Sequence, residues 1–217
     1  MEKPKENFNN VEYLTAEQNN LADIAKCHKE VFQGQFMTEM GPVWLKDMYG
    51  FFQNYHAGFV IIAQEKSGQV IGFVAGGDSQ TRQLFLSRAK RRHILLLFQK
   101  FITSNIVRKK LLAELFRQLK IRNNRKKEHR KVIRKSGNLL SIGVLPEYQG
   151  SEIANKLMEQ FIDASQKNGA EILKLSVRLE NDRAINFYKK HGWYEIHRNN
   201  TSIRFERPAD INNIKDK

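Results

Sequence analysis

The 217-residue sequence predicts a mixed α/β domain carrying a basic helical insertion. Three features of the chain predict it. Two apolar, β-branched runs, Gly58–Glu65 and Gln69–Gly76, are spaced like the arms of a hairpin across Lys66-Ser67-Gly68. A strand-like run at Leu139–Leu145 passes through a short turn into a helix-periodic stretch. Segments of strand and helix period alternate along most of the remaining chain, as a layered sheet-and-helix domain requires.

Taken in order, Glu12–Leu14 is expected as a short strand. Thr15, with Gln18 three positions later, forms a capping box for a helix whose apolar face is Leu21, Ile24, Ala25, Val31 and Phe32, with His28 on that face. Gly34–Pro42 holds two Gly and one Pro and is expected as a loop, followed by a short helical stretch around Trp44, Leu45, Met48 and Tyr49. After the hairpin and the insertion, Leu139–Leu145 is a short buried strand. It leads through Pro146–Gly150 to a helix with Ile153, Ala154, Leu157, Met158, Phe161 and Ile162 on one side, ended by Asn168-Gly169. Leu173, Leu175 and Val177 alternate with Lys174 and Ser176 as a strand. Asn181 or Asp182 caps a helix through Ala184, Phe187 and Tyr188, which Gly192 closes. Trp193–Ile196 and Ser202–Glu206 complete the sheet, and 207–217 is expected as a loose tail.

The net charge of +14 is local. Residues 81–135 hold 19 Lys/Arg against Glu114 and Glu128, a balance of +17, whereas the other 162 residues carry 18 basic and 21 acidic side chains. Apolar residues recur there at helical spacing, at Leu95, Phe98, Ile102 and Ile106 and then at Leu112, Leu115, Phe116 and Leu119. Two basic amphipathic helices are therefore expected, with Arg122–Lys135 as a polar linker. The longest uncharged runs in this region, His93–Gln99 and Phe101–Val107, are seven residues each, far from the roughly 20 that span a bilayer. Met1–Asn10 has no apolar core and mixed charge, so no signal peptide is expected. With Cys27 the single cysteine, no internal disulfide can form, and a cytoplasmic place is expected.

Val144 to Ala154 describes a strand end, a turn and a helix N-terminus, whose unpaired backbone N–H groups attract phosphate. Every strand-to-helix unit has such a terminus, so this alone leaves a plain connection open. Together with Asn181-Asp182-Arg183-Ala184-Ile185-Asn186-Phe187-Tyr188 and Gly192-Trp193, however, the stretch resembles the two linked signatures of the GNAT superfamily of acyl-CoA-dependent N-acyltransferases. There a strand ending in Val-x-Pro leads to a Gln/Arg-x-x-Gly-x-Gly/Ala loop, matched by Gln149, Glu152 and Ala154. The later Asn-x-x-Ala-x-x-x-Tyr and Gly-aromatic are matched by Asn181, Ala184, Tyr188, Gly192 and Trp193. Glu152 departs from the pattern, standing where the family prefers Gly and setting a carboxylate beside the expected phosphates.

The resemblance covers 11–78 and 137–206 and implies one acyltransferase domain over 11–206, interrupted by the insertion at 81–135. Its fold would be a mixed, mostly antiparallel sheet with two central splayed parallel strands, flanked by helices. Acetyl-CoA would be the cosubstrate. Its pantetheine would lie along Leu139–Leu145 at Ile142, Gly143 and Val144, and its pyrophosphate over Gln149, Gly150, Ser151, Glu152, Ile153 and Ala154, with Asn181 on the cofactor arm. The acceptor amine would attack the thioester directly, a backbone N–H near Val144 would hold the developing oxyanion, and Tyr188 would protonate the leaving thiolate. No metal site is predicted. The base remains open among Glu39, Asp78, Glu180, His28 and His56, with Ser141 as a residue that could orient a water. Cys27 is set aside as a nucleophile, because adjacent helix positions turn Lys26 and His28 away from it.

The loop Phe32-Gln33-Gly34-Gln35-Phe36-Met37-Thr38 followed by a basic insertion resembles bacterial members associated with surface polysaccharides. That implies a small-molecule amine acceptor, an amino sugar foremost. The insertion suits an anionic membrane surface, at the inner membrane face, and the packing of its helices against the sheet or against a second subunit, as in a homodimer, stays open beside it. Two other classes stand beside this one. A nucleic-acid-binding module using the +17 segment is disfavoured, since 122–135 has no aromatic residue but His129 to read bases. A non-catalytic scaffold of the same fold is kept open by Glu152.

Overall fold

The structure, a computed structural model, describes residues 11–122 and 135–210, with the backbone alone over 115–122. Strands β1 (Val11–Thr15), β2 (Phe59–Glu65), β3 (Val70–Gly77), β4 (Ser136–Val144), β5 (Ile172–Arg178), β6 (Tyr194–Arg198) and β7 (Ser202–Pro208) form one sheet in the order β1-β2-β3-β4-β5-β7-β6. Every neighbouring pair is antiparallel except β4 with β5. All eight residues of β3 are buried, as a strand covered on both faces must be. The covering helices are α1 (Leu21–Val31), α2 (Phe36–Met40) and α3 (Pro42–Asn54) on one face, and α7 (Ile153–Lys167) on the other. A Cβ on Gly143 would meet Val31 and Phe32, while one on Gly72 would meet Leu157 of α7, which fixes the two sides.

Several expectations are corrected. Thr15 is the last residue of β1, and Ala16 continues the pairing through its N–H to Val60 O at 2.8 Å, so neither opens a helix. The entry to α1 is a 3-10 turn at Gln18–Asn20, held by Asn20 Oδ1, which accepts from the Glu17 N–H at 2.8 Å. Gly34–Pro42 is not all loop. It contains α2, braced by Thr38 Oγ1 donating to Phe32 O at 2.6 Å, and Pro42 starts a 13-residue α3, where its missing N–H costs nothing.

The insertion holds three helices rather than two, α4 (Thr81–Arg92), α5 (Ile94–Thr103) and α6 (Asn105–Arg122). Neither break carries Gly or Pro. His93 bonds Asp47 Oδ2 of α3 at 3.0 Å, and Ser104, in extended conformation, donates to Glu39 Oε2 of α2 at 3.0 Å. Of the readings open for the insertion, packing on the domain core holds for α4: Phe85 and Ala89 are fully buried, and the Phe85 ring sits 5.4 Å from Trp44 and 5.8 Å from Phe52. The expected linker lies outside the described residues over 123–134, as do Met1–Asn10 and the side chains of Leu115, Phe116 and Leu119. Of the expected tail, Arg207 and Ala209 are buried. Arg207 Nη1 donates to His191 O at 2.8 Å and the Ala209 N–H to Glu171 O at 3.1 Å, while 211–217 lies outside the described residues.

Candidate active site

β4, the loop into α7 and α8 (Asp182–Lys190) carry the singled-out residues, and a hydrogen bond between Gln149 and Arg183 joins the loop to α8. β4 pairs with β5 at only three positions, Ser136↔Ile172, Gly137↔Leu173 and Asn138↔Lys174, although the strands are nine and seven residues long. Beyond Asn138 they part. Toward β3 the pairing of β4 slips once, Ala75 opposite Ser141 and Gly76 opposite Leu139, so Leu140 is an extra residue in a bulge. The bulge turns the strand over: Gly137 faces Ser165 of α7, whereas Gly143, six residues on, faces Val31 and Phe32 on the opposite side. The Leu145 N–H donates to Ile71 O of β3 at 2.8 Å. By the alternation of an antiparallel ladder, the N–H groups of Ile142 and Val144 therefore turn away from β3, into the gap that β5 has left.

At the mouth of this gap, Gly150 has φ +92°, a conformation that favours glycine, and lets the chain turn from a 3-10 turn at Pro146–Tyr148 into α7. Ser151 Oγ donates to Tyr148 O at 2.6 Å. Among the described residues the N–H groups of Gly150, Glu152, Ala154 and Asn155 have no backbone acceptor, so a cluster of donors opens at the α7 N-terminus. The exposed Glu152 leans along the helix, its Oε2 accepting from Asn155 Nδ2 at 2.7 Å. Gln149 bridges two elements: its Nε2 donates to Val144 O at 3.3 Å, and its Oε1 accepts from Arg183 of α8. Asn181 is the α8 cap, its Oδ1 accepting from the Ala184 N–H at 3.1 Å. Tyr188 is buried against Trp193 and Phe205, and burial pushes its phenol above the ordinary value, which keeps it protonated. Its hydroxyl makes no hydrogen bond among the described residues. Ile153 is buried in the core, so only its backbone faces the loop.

The candidates for the base fare differently. Asp78 Oδ1 is occupied capping α4, accepting from the N–H of Thr81 at 2.8 Å and its Oγ1 at 2.7 Å. Glu180 is paired with Arg178, and a backbone hydrogen bond foremost, then that arginine, holds its carboxyl below the ordinary value. Glu39 accepts from Ser104, and His56 lies exposed against Tyr55. His28 is buried, and burial lowers its imidazole to about 4. Its Nδ1 shares a hydrogen bond of 2.6 Å with the hydroxyl of Tyr49, whose phenol lies beside Ser141 on β4. This buried chain from α1 through α3 to the diverging strand, and the grip of Arg183 on Gln149, were invisible in the sequence. Both join residues far apart along the chain. Burial pushes the Cys27 thiol up to about 12, so it is inert at neutral pH. No group of three His, Cys, Asp or Glu that could hold a metal ion occurs among the described residues. A cleft of about 840 Å³ between α1, α3 and α4, lined by Leu21, Asp47, Phe51 and Arg88 among others, touches none of β4, β5, α7 or α8.

Comparison with known proteins agrees with this fold. The sequence model of the Acetyltransferase (GNAT) family matches residues 21–193. N-alpha-acetyltransferase 30 of Schizosaccharomyces pombe is 30% identical over 57 residues, which are 26% of this chain and 38% of that protein. The PaiA N-acetyltransferase of Thermoplasma acidophilum, solved with coenzyme A, superposes with a TM-score of 0.58 over 91% of this chain and 98% of that one, at 13% identity. The ribosomal-protein-S18-alanine N-acetyltransferase of Escherichia coli gives 0.57 over 93% and 95%, at 15% identity. At such identities the structures share the fold.

Proposed function

The chain belongs to the GNAT acetyltransferase family, and on that premise we propose that it moves an acetyl group from acetyl-CoA to a primary amine of a small molecule, by direct attack. The observation that carries this is the gap between β4 and β5, with the unpaired N–H groups of Ile142 and Val144 on its wall and the donors of Gly150, Glu152, Ala154 and Asn155 at its mouth. A pantetheine arm supplies the strand partner that β4 lacks there, and the pyrophosphate takes the helix terminus. Backbone donors leave the Glu152 position free to vary.

The thioester carbonyl then lies near Val144, whose N–H is a fixed dipole for the oxyanion and needs no reorganisation during attack. The amine enters from the side of α1, whose C-terminal end closes on β4 at Gly143 through Val31 and Phe32. Its proton leaves through a water held by Ser141, which the chain of Tyr49 and His28 positions. Tyr188, protonated and free of internal partners, returns a proton to the departing thiolate. An amino sugar is the first acceptor class to test, from the likeness of the Phe32–Thr38 loop, and the buried single thiol suits a reducing, cytoplasmic setting.

Calorimetric titration with acetyl-CoA, followed by an acceptor screen reading free CoA, tests this. One-to-one binding is expected, and Tyr188→Phe should lower kcat about 10²-fold with cofactor affinity kept. Absence of binding at millimolar cofactor would refute the activity. A Phe variant with full turnover would remove only the acid role.

A further inference from the structure

We propose that α5, with the basic ends of α4 and α6 beside it, is a docking surface for an anionic lipid bilayer. Seven of the ten α5 residues are apolar and Lys100 is its single charge. One face is accounted for, since Leu96 and Leu97 pack on the core. The other is not: Ile94 is 62% exposed, Leu95 81%, Phe98 67% and Ile102 60%. At 100° per residue these four fall within an arc of about 100°, forming a continuous stripe. A helix apolar on both sides is ordinarily covered on both, and nothing among the described residues covers this one.

The charge says what does. Lys90, Arg91 and Arg92 close α4 just before the stripe, and Arg108, Lys109 and Lys110 follow it in the first two turns of α6. All six are exposed. Arg92 is already paired with Asp47 at 2.7 Å, which leaves five cations, and Glu114 is the only acid between 81 and 114. A second copy of the chain docked through a twofold axis would bring these basic triplets against their own images. A nucleic acid would answer the charge and leave Leu95 and Phe98 in water. An anionic bilayer answers both, with the stripe at the acyl boundary and the cations among the headgroups. No described helix is long and apolar enough to cross a membrane, so α5 lies in the plane of the interface. Acyl transfer at the β4–β5 gap does not call for such a surface.

Co-sedimentation of the full chain with vesicles of phosphatidylcholine and phosphatidylglycerol in equal parts, and with phosphatidylcholine alone, tests the proposal. Binding is expected with the anionic vesicles. The exposed pair Leu95→Ser with Phe98→Ser should weaken it at least tenfold while thermal stability and acetyl-CoA binding hold. Lys90→Gln with Arg91→Gln should weaken it roughly fivefold per charge. Failure to bind anionic vesicles overturns the proposal, as does binding indifferent to the serine pair. So does a wild-type dimer, seen by sedimentation velocity, that the serine pair splits, which would assign the stripe to a second copy. Retention on duplex DNA that survives the serine pair, without vesicle binding, would assign the charge to nucleic acid. Unfolding of the serine variant, with vesicle binding unaltered by the glutamine pair, would make the stripe core.

Discussion

Glu152 puts a carboxylate at the N-cap of α7, where the helix dipole favours it and a bound phosphate does not. Its hydrogen bond to Asn155 carries the side chain along the helix rather than over the loop, yet the charge stays within a turn of the free donors. Glu152→Gln keeps the hydrogen-bonding shape and removes the charge. It should tighten acetyl-CoA binding by about two- to fivefold at low salt, and less at high salt, by calorimetry. An unchanged dissociation constant would place the phosphates elsewhere. His28 governs a second measurable property. Its imidazole titrates near 4 when folded and near 6.5 when free, so between those values the unfolded chain binds a proton that the folded one refuses. Stability therefore falls as pH drops from about 6.5 to about 4 and levels off below, by at most about 3 kcal/mol from this residue. His28→Gln should flatten that part of the denaturant-midpoint-versus-pH curve relative to wild type; parallel curves would contradict the assignment. The cap role of Asn181 was legible in sequence because a cap needs only its own next turn. Tyr49 and Arg183 were not, because what each bonds is decided by packing between distant segments.

Among elements, the hairpin, β4, α7 and α8 could be located from period and turn chemistry alone, since each carries its own stop signal, such as Gly169 at φ +77° and Gly192 at φ +75°. The insertion resisted because its breaks are made by tertiary hydrogen bonds at His93 and Ser104 and because charge masked its tie to the core. α4 reads as basic, yet Phe85 is fully buried between Trp44, Phe51 and Phe52. Phe85→Ala should cost about 3–5 kcal/mol in chemical denaturation, the range for a buried aromatic truncated in a packed core. A loss under about 1 kcal/mol would return α4 to the status of an appendage.

At the scale of the molecule, the sequence pattern was enough for the succession of strands along the chain, but not for α2, for the number of helices in the insertion, or for the geometry of the seam between β4 and β5, which depends on a bulge at Leu140 that no residue type announces. That seam has a dynamic consequence. β1–β4 and β5–β7 are two slabs whose backbones join across three residue pairs, so without a ligand they are expected to open separately in native-state amide exchange. On the proposed reading, acetyl-CoA lying in the gap would act as a removable strand that fuses the two units. Exchange at Ile142 and Val144 should then slow by orders of magnitude on saturation, and the slowest amides of β5 and β7 should converge on the protection of β3. Unaltered exchange at Ile142 and Val144 would show that the ligand lies outside the seam. If they slow as expected, cooperativity across the sheet is set by cofactor supply, and the same chain resists proteolysis as one body when acetyl-CoA is abundant and as two when it is scarce.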